Sequence, residues 1–170
     1  MRKILIVDDE KNIRLGIKSM IENRYPGVYE IFLASNGEEA LEYYKQNNID
    51  ILITDIRMPV MDGLTLISNL YSNNVQTNII ILSGYDDFNY ATHALRNGAK
   101  DYLLKPIKRN LLYDTIERIE KEIKSKENTN IKNNEIYSNK DEFFNSQINY
   151  ILLNTNLSRN EINELCKKLI

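Results

Sequence analysis
Apolar positions along this chain switch period repeatedly, from unbroken short runs to a spacing of every third or fourth residue. The short β-branched runs read as strands at Lys3–Val7, Glu30–Ala34, Ile51–Thr54, Ile79–Leu82 and Asp101–Leu104. The first, third and fourth are nearly all apolar, as strands buried on both faces must be. Stretches of helical period lie between them. Lys11–Asn23 sets Ile13, Ile17, Met20 and Ile21 on one face, and Asn36 opens an N-x-x-E capping box with Glu39 for a second helix. A third helix follows Asp62-Gly63 and carries Leu64, Leu66, Ile67 and Leu70. A fourth runs from about Asp87 to Arg96 and stops at Asn97-Gly98, and a fifth turns Leu112, Ile116, Ile119 and Ile123 toward a core. Five alternating strand–helix units predict an α/β domain over residues 1–126, a doubly wound parallel sheet with crossover helices.

Beyond that point the pattern changes. Residues Glu127–Lys140 are rich in Asn, Lys and Glu without an apolar stripe and read as a polar linker. Periodicity returns over 141–170, where Phe143, Phe144, Ile148, Ile151 and Leu152 suggest one helix. A second, capped by a Ser158-to-Glu161 box, carries Ile162, Leu165, Cys166 and Leu169. Two such helices bury little alone. A length of 170 residues at 42% hydrophobic and 27% charged content suits one core with a short appendage. The formal net charge of −2 supplies no electrostatic reason to expect nucleic acid or an anionic membrane as a direct partner. The single Cys166 excludes an internal disulfide and a cysteine-cluster metal site. The N-terminal apolar run is too short for a signal peptide core, and no segment reaches the ~18 apolar residues of a membrane span. The expectation is a cytoplasmic, membrane-free protein.

The chemistry-bearing residues gather at strand ends. Asp8 and Asp9 end the first strand, Asp55 the third and Ser83 the fourth, while Lys105 follows the fifth. In a doubly wound sheet this is the edge where ligands sit. Three carboxylates brought together would repel one another, so a hard divalent cation is the best explanation of the cluster, and magnesium is the one commonly completed by phosphate oxygens. Lys105 adds a point positive charge and Ser83 a hydroxyl donor, which suits a phosphoryl group.

These residues stand in recognisable stretches: VDDE at Val7–Glu10, DIRMPVMDG at Asp55–Gly63, LSGYDD at Leu82–Asp87 and KDYLLKP at Lys100–Pro106. Together they resemble the receiver domains of two-component response regulators over roughly Met1 to Lys126. The resemblance implies a flavodoxin-like sheet of order 2-1-3-4-5, with Asp55 as phosphoryl acceptor. Asp9 would be a direct magnesium ligand, Asp8 would help through water, and Arg57 would offer its backbone carbonyl. Ser83 and Lys105 would contact the phosphoryl oxygens, and the Lys105-Pro106 bond would be cis. The phosphodonor would be a phosphohistidine of a sensor histidine kinase or a small phosphodonor. Such a receiver catalyses its own modification and slow dephosphorylation without being an enzyme in the turnover sense. Ser83 and Tyr102 would form a switch altering the surface of the fourth helix, fifth strand and fifth helix.

Other readings of the same residues are ordinary. Asp62-Gly63 is a turn with a helix start, Pro59 shapes a loop, and Tyr102 as a half-buried strand aromatic is the commoner fate of tyrosine. His93 lacks any second ligand nearby in sequence, and Cys166 sits on an apolar stripe. The KPIKRN run is too short for a nucleic-acid surface. Gly84 with Tyr85 and the 143–162 stretch resemble regulators whose receiver precedes an AraC-type helix-turn-helix domain. On that reading DNA is bound only through an output domain beyond Ile170, and phosphorylation can drive a homodimer. Competing readings are a stand-alone receiver, acting as a phosphorelay shuttle or binding module, and a phosphohydrolase on a similar fold.

Overall fold
The structure is a computed structural model that describes residues 1–84 and 99–129. Strands β1 (Arg2–Val7), β2 (Tyr29–Ala34), β3 (Ile51–Asp55), β4 (Asn78–Ser83) and β5 (Asp101–Leu104) form one sheet, all pairs parallel, in the order β2-β1-β3-β4-β5. The described helices are α1 (Lys11–Arg24), α2 (Gly37–Gln46), α3 (Gly63–Ser72) and α4 (Arg109–Thr129), the last being the helix that periodicity ranks fifth. The chain divides into two compact units, Met1–Glu127 and Asn128–Ile170. The expected doubly wound sheet and its strand order are both observed.

Alternation along the strands explains the layering. Ile4, Ile6, Ile51, Ile53, Ile80, Leu82 and Leu103 join Ile17 and Ile21 of α1 and Leu112, Ile116 and Ile119 of α4 in one core. The intervening Leu5, Val7, Leu52, Ile81 and Tyr102 point to the other face and are equally buried. Helices α2 and α3 contribute Ala40, Leu66, Ile67 and Leu70 to the buried set. Both faces are thus apolar, the condition of a parallel sheet.

Several strand ends lie one residue beyond the apolar runs. Asp55 pairs with Leu82, and Ser83 with Leu104, so two polar residues belong to the ladder itself. Backbone pairing is indifferent to the side chain it carries, which is why hydrophobicity alone stops short. The Asn36 cap is present, with its Oδ1 accepting from Glu39 N at 3.0 Å. Its reciprocal half differs from the expected box: Glu39 Oε2 accepts from Ser35 N and Ser35 Oγ, both at 2.7 Å, because Ser35 offers two donors together. Helix α4 continues to Thr129, past Glu127, whose carboxylate receives Arg2 Nη2 at 3.0 Å; a long-range ion pair sustains helix where composition turns polar. The expected fourth helix at 87–96, its Asn97-Gly98 stop, Tyr85, His93, the rest of the linker, the 141–170 helices and Cys166 lie outside the described residues.

Candidate functional site
Strand β1 has β2 on one side and β3 on the other, so successive crossovers leave it in opposite directions and open a crevice beyond the carboxyl ends of β1 and β3. Asp8 and Asp55 continue the rows Ile4–Ile6 and Ile51–Ile53, and Lys105 continues the row of Leu103. Period-two alternation therefore aims all three toward one place. Lys105 Nζ lies 2.8 Å from Asp8 Oδ2 and 2.9 Å from Asp55 Oδ2, with Glu10 Oε1 at 4.0 Å. Oxygens of Asp8, Asp9 and Asp55 fall within 4.8 Å of one another, Asp9 being exposed and the other two buried. The Lys105-Pro106 peptide is cis.

Backbone contacts orient these carboxylates. Asp55 Oδ1 accepts from Ile56 N at 2.8 Å, and Asp8 Oδ1 from Glu10 N at 2.9 Å. The second oxygen of each is turned to the crevice. Asp8 Oδ2 meets Lys105 as an ion pair but receives no hydrogen bond of good geometry. Burial holds the Asp55 carboxyl above the usual aspartate range, against the hydrogen bond and charge of Lys105, which pull it down. For Lys105 burial is the largest single influence and favours the neutral amine, yet the nearby carboxylates of Asp8 and Asp55 together raise it. Three carboxylates against one ammonium leave negative charge in excess. An all-oxygen set with one buried, poorly satisfied carboxylate oxygen fits a hard divalent cation such as magnesium.

The remaining expected site residues are placed differently. Ser83 is buried, and its Oγ donates to the Gly84 carbonyl at 3.0 Å rather than to the carboxylate cluster. Because neighbouring Leu82 and Leu103 face the α1–α4 core, Ser83 and Tyr102 both face the opposite side of the sheet. Tyr102 is buried, not half-buried as an ordinary strand aromatic would be. The Arg57 side chain is exposed on the loop after β3.

That loop is built to stay put. Asp62 caps α3, its Oδ1 accepting from Thr65 N at 2.7 Å, and Gly63 N donates to Ile56 O at 2.9 Å. A Cβ at Gly63 would overlap the backbone carbonyl oxygen of Asp55. The Asp62-Gly63 turn is structural, but it lies directly beneath the acceptor candidate. Met61 O accepts from Gly37 N at 2.9 Å, tying the same loop to α2.

Two features escape a reading of the sequence. Arg14 Nη1 donates to the carbonyls of both Asp8 and Asp9, the latter at 3.1 Å. Arg14 lies about 60° round the helix from Ile17, at the half-buried edge of the Ile13–Ile17 stripe, a position that by itself marks no function. Asp101 is buried and receives Tyr102 N at 2.7 Å, Thr115 Oγ1 at 2.6 Å and Arg118 Nη2. Burial raises its carboxyl, opposed by Thr115 and Arg118. Thr115 and Arg118 stand three apart on one helix face, a spacing that becomes informative only once β5 is known to lie alongside.

Comparison with known proteins gives a consistent picture. The model of the response regulator receiver domain matches residues 4–117. The chain is 40% identical over 124 residues to the uncharacterized transcriptional regulatory protein YesN of Bacillus subtilis, a match covering 73% of this chain and 34% of that protein. It is 40% identical over 107 residues to the transcriptional regulatory protein HptR of Staphylococcus aureus, covering 63% and 42% respectively. The chain thus spans less than half the length of these relatives. Among solved structures it resembles the receiver domain of AraT, a response regulator from Geobacillus stearothermophilus, with TM-score 0.67 and 36% identity over 74% of this chain and 98% of that one. A response regulator receiver domain from Clostridium thermocellum gives 0.66 and 32% over 73% and 98%.

Proposed function
The chain belongs to the response regulator receiver domain family, and from that premise we propose that Asp55 accepts a phosphoryl group from a sensor histidine kinase. The observation that carries this reading is the meeting of Asp55, Asp8 and Asp9 oxygens within 4.8 Å, with Lys105 Nζ 2.9 Å from Asp55 Oδ2. An Asp55 carboxylate oxygen attacks phosphorus in line, the new O–P bond forms as the P–N bond of a phosphohistidine breaks, and the imidazole leaves. Magnesium, held by Asp8, Asp9, Asp55 and the Arg57 carbonyl, supplies neutralisation of the charge on the phosphoryl oxygens when bound. Lys105 exchanges its Asp55 contact for a phosphoryl oxygen. Ser83 Oγ, now on Gly84 O, turns to another phosphoryl oxygen, and Tyr102 responds on the same face of the sheet, altering the surface around β5 and its flanking helices.

The protein is a phosphoacceptor that promotes its own modification and slow hydrolysis, rather than an enzyme of repeated turnover. Domain limits of 1–126 for the receiver, then a linker and the start of a helical region, belong to the same reading. Relatives named as transcriptional regulators support a transcriptional output; DNA reached through an AraC-type domain and a phosphorylation-dependent homodimer belong to the same proposal. Among the described residues no helix is long and apolar enough to cross a membrane; a cytoplasmic place of action is part of the same proposal.

The test is the intact mass of the chain and of Asp55→Asn after incubation with a small phosphodonor, with and without magnesium. One magnesium-dependent phosphoryl adduct, absent from the variant, is expected. No adduct on folded, magnesium-binding protein, or an adduct surviving the substitution, removes Asp55 from the role and favours a receiver used only as a binding module.

A further inference from the structure
Arg14 occupies a position that ordinary helix electrostatics disfavours. Helix α1 begins at Lys11 after an N-cap, Glu10, that makes no side-chain cap, and its first turn holds no acidic residue. A cation there meets the positive end of the helix dipole. Arg14 nonetheless folds back over that end, and one guanidinium nitrogen, Nη1, donates to the carbonyls of Asp8 and Asp9. Its charge also reaches Glu39 at the start of α2, whose carboxyl it helps to lower after the stronger effect of Ser35. Carbonyls one residue apart point in divergent directions along an extended chain, so a shared donor holds this backbone in a turn. Strand alternation sends the Asp8 side chain inward, and the turn that follows leaves Asp9 exposed while keeping an oxygen of each within 4.8 Å of the other and of Asp55. Glu10 N, received by Asp8 Oδ1 at 2.9 Å, closes the turn from the other side.

We propose that Arg14 is a positioning residue that holds the Asp8–Asp9 turn ready for a divalent cation, acting through the two backbone carbonyls rather than on the bound phosphoryl group. The proposal rests on the reading of the acidic cluster as a magnesium site and adds an element to it. Its sign is unusual. A positive charge beside a dication repels it, so if Arg14 acted by charge alone, removing it would tighten magnesium binding. If Arg14 acts by holding the turn, removing it loosens binding although the repulsion is gone, because the carboxylates must then be ordered at the moment of binding.

The experiment is calorimetric titration of magnesium chloride into the full chain, its Arg14→Met and Arg14→Lys variants, at fixed ionic strength, with a thermal melt of each. Arg14→Met keeps the aliphatic stem and removes the donors; Arg14→Lys restores charge and one donor group. Expected is a Kd for magnesium raised at least fivefold in Arg14→Met, about 1 kcal/mol, with partial recovery in Arg14→Lys. The magnesium concentration giving half-maximal phosphoryl uptake from a small phosphodonor should move by the same factor. A merely structural arginine would lower the melting temperature and leave the Kd in place. An unchanged or tighter Kd in Arg14→Met overturns the proposal while leaving the magnesium site intact. Absence of magnesium binding by the unsubstituted chain overturns both the site and the proposal.

Discussion
Replacing Gly63 by alanine should damage this protein more than the same change at Gly16, Gly27 or Gly37. Gly63 opens α3 directly under the end of β3, and its added Cβ would overlap Asp55 O while lying 3.0 Å from Asp55 C and 3.2 Å from Ile56 Cα. All three are backbone atoms of a buried segment, two of them in a residue paired across the sheet to Leu82, so no side chain can swing aside. Forcing such a contact apart costs about 1–3 kcal/mol. Losing the Gly63 N to Ile56 O bond, 2.9 Å long, adds about 1 kcal/mol. The total is roughly 2–4 kcal/mol, or on the order of 8–16 °C in melting temperature for a cooperative unit of this size. Two other glycines calibrate the measurement. Nothing lies within 4 Å of a Cβ at Gly16, inside α1, so Gly16→Ala should gain about 0.5–1 kcal/mol of helix propensity. Gly27 is equally open but has φ +72°, so Gly27→Ala should lose about 1 kcal/mol to left-handed strain alone. Urea and thermal unfolding of the three variants give the order, and amide shifts at Asp55 and Ile56 show whether Gly63→Ala has moved the site. If Gly63→Ala proves as stable as Gly16→Ala, the close approach beneath Asp55 is wrong and the rigidity claimed for the loop goes with it.

Thr115→Val removes a 2.6 Å hydroxyl donor from buried Asp101 and should cost about 1–3 kcal/mol. The Asp101 carboxyl is raised by burial, so its favourable contribution is full below the unfolded value near 3.8 and is lost as pH rises through the folded one; losing Thr115 raises it further, making the deficit larger at pH 7 than at pH 4 in denaturant titrations. Glu39 behaves oppositely. Held below its ordinary 4.5 first by Ser35, it stabilises α2 above that value and loses the effect as pH falls through its depressed one. Glu39→Ala should therefore cost about 0.5–1 kcal/mol at pH 7, a difference that closes in strong acid when both chains are unfolded in urea. Val60 is a β-branched residue at φ 70°, 75% exposed on the loop after β3. Val60→Asn should raise stability by about 1 kcal/mol, and an unchanged or lower urea midpoint would refute the strain.

Asp8, Asp9, Asp55, Ser83 and Lys105 could be picked from the linear chain because each is a polar residue at the end of an apolar run, and a parallel sheet collects such ends on one edge. The same local patterns determined the helices α1, α2, α3 and α4 and the capping residues Asn36 and Asp62, since propensity, periodicity and caps act within a few residues. Tertiary structure alone decided what crosses long stretches of chain. It turned Lys105 onto Asp8 and Asp55, aimed Ser83 away at Gly84, and buried Asp101 with Thr115 and Arg118. It also carried α4 beyond Glu127 through a pair with Arg2 and packed Gly63 under Asp55. Such contacts depend on strand order, register and the close approach of backbones, quantities set by the packing of the whole sheet and invisible to any window of sequence.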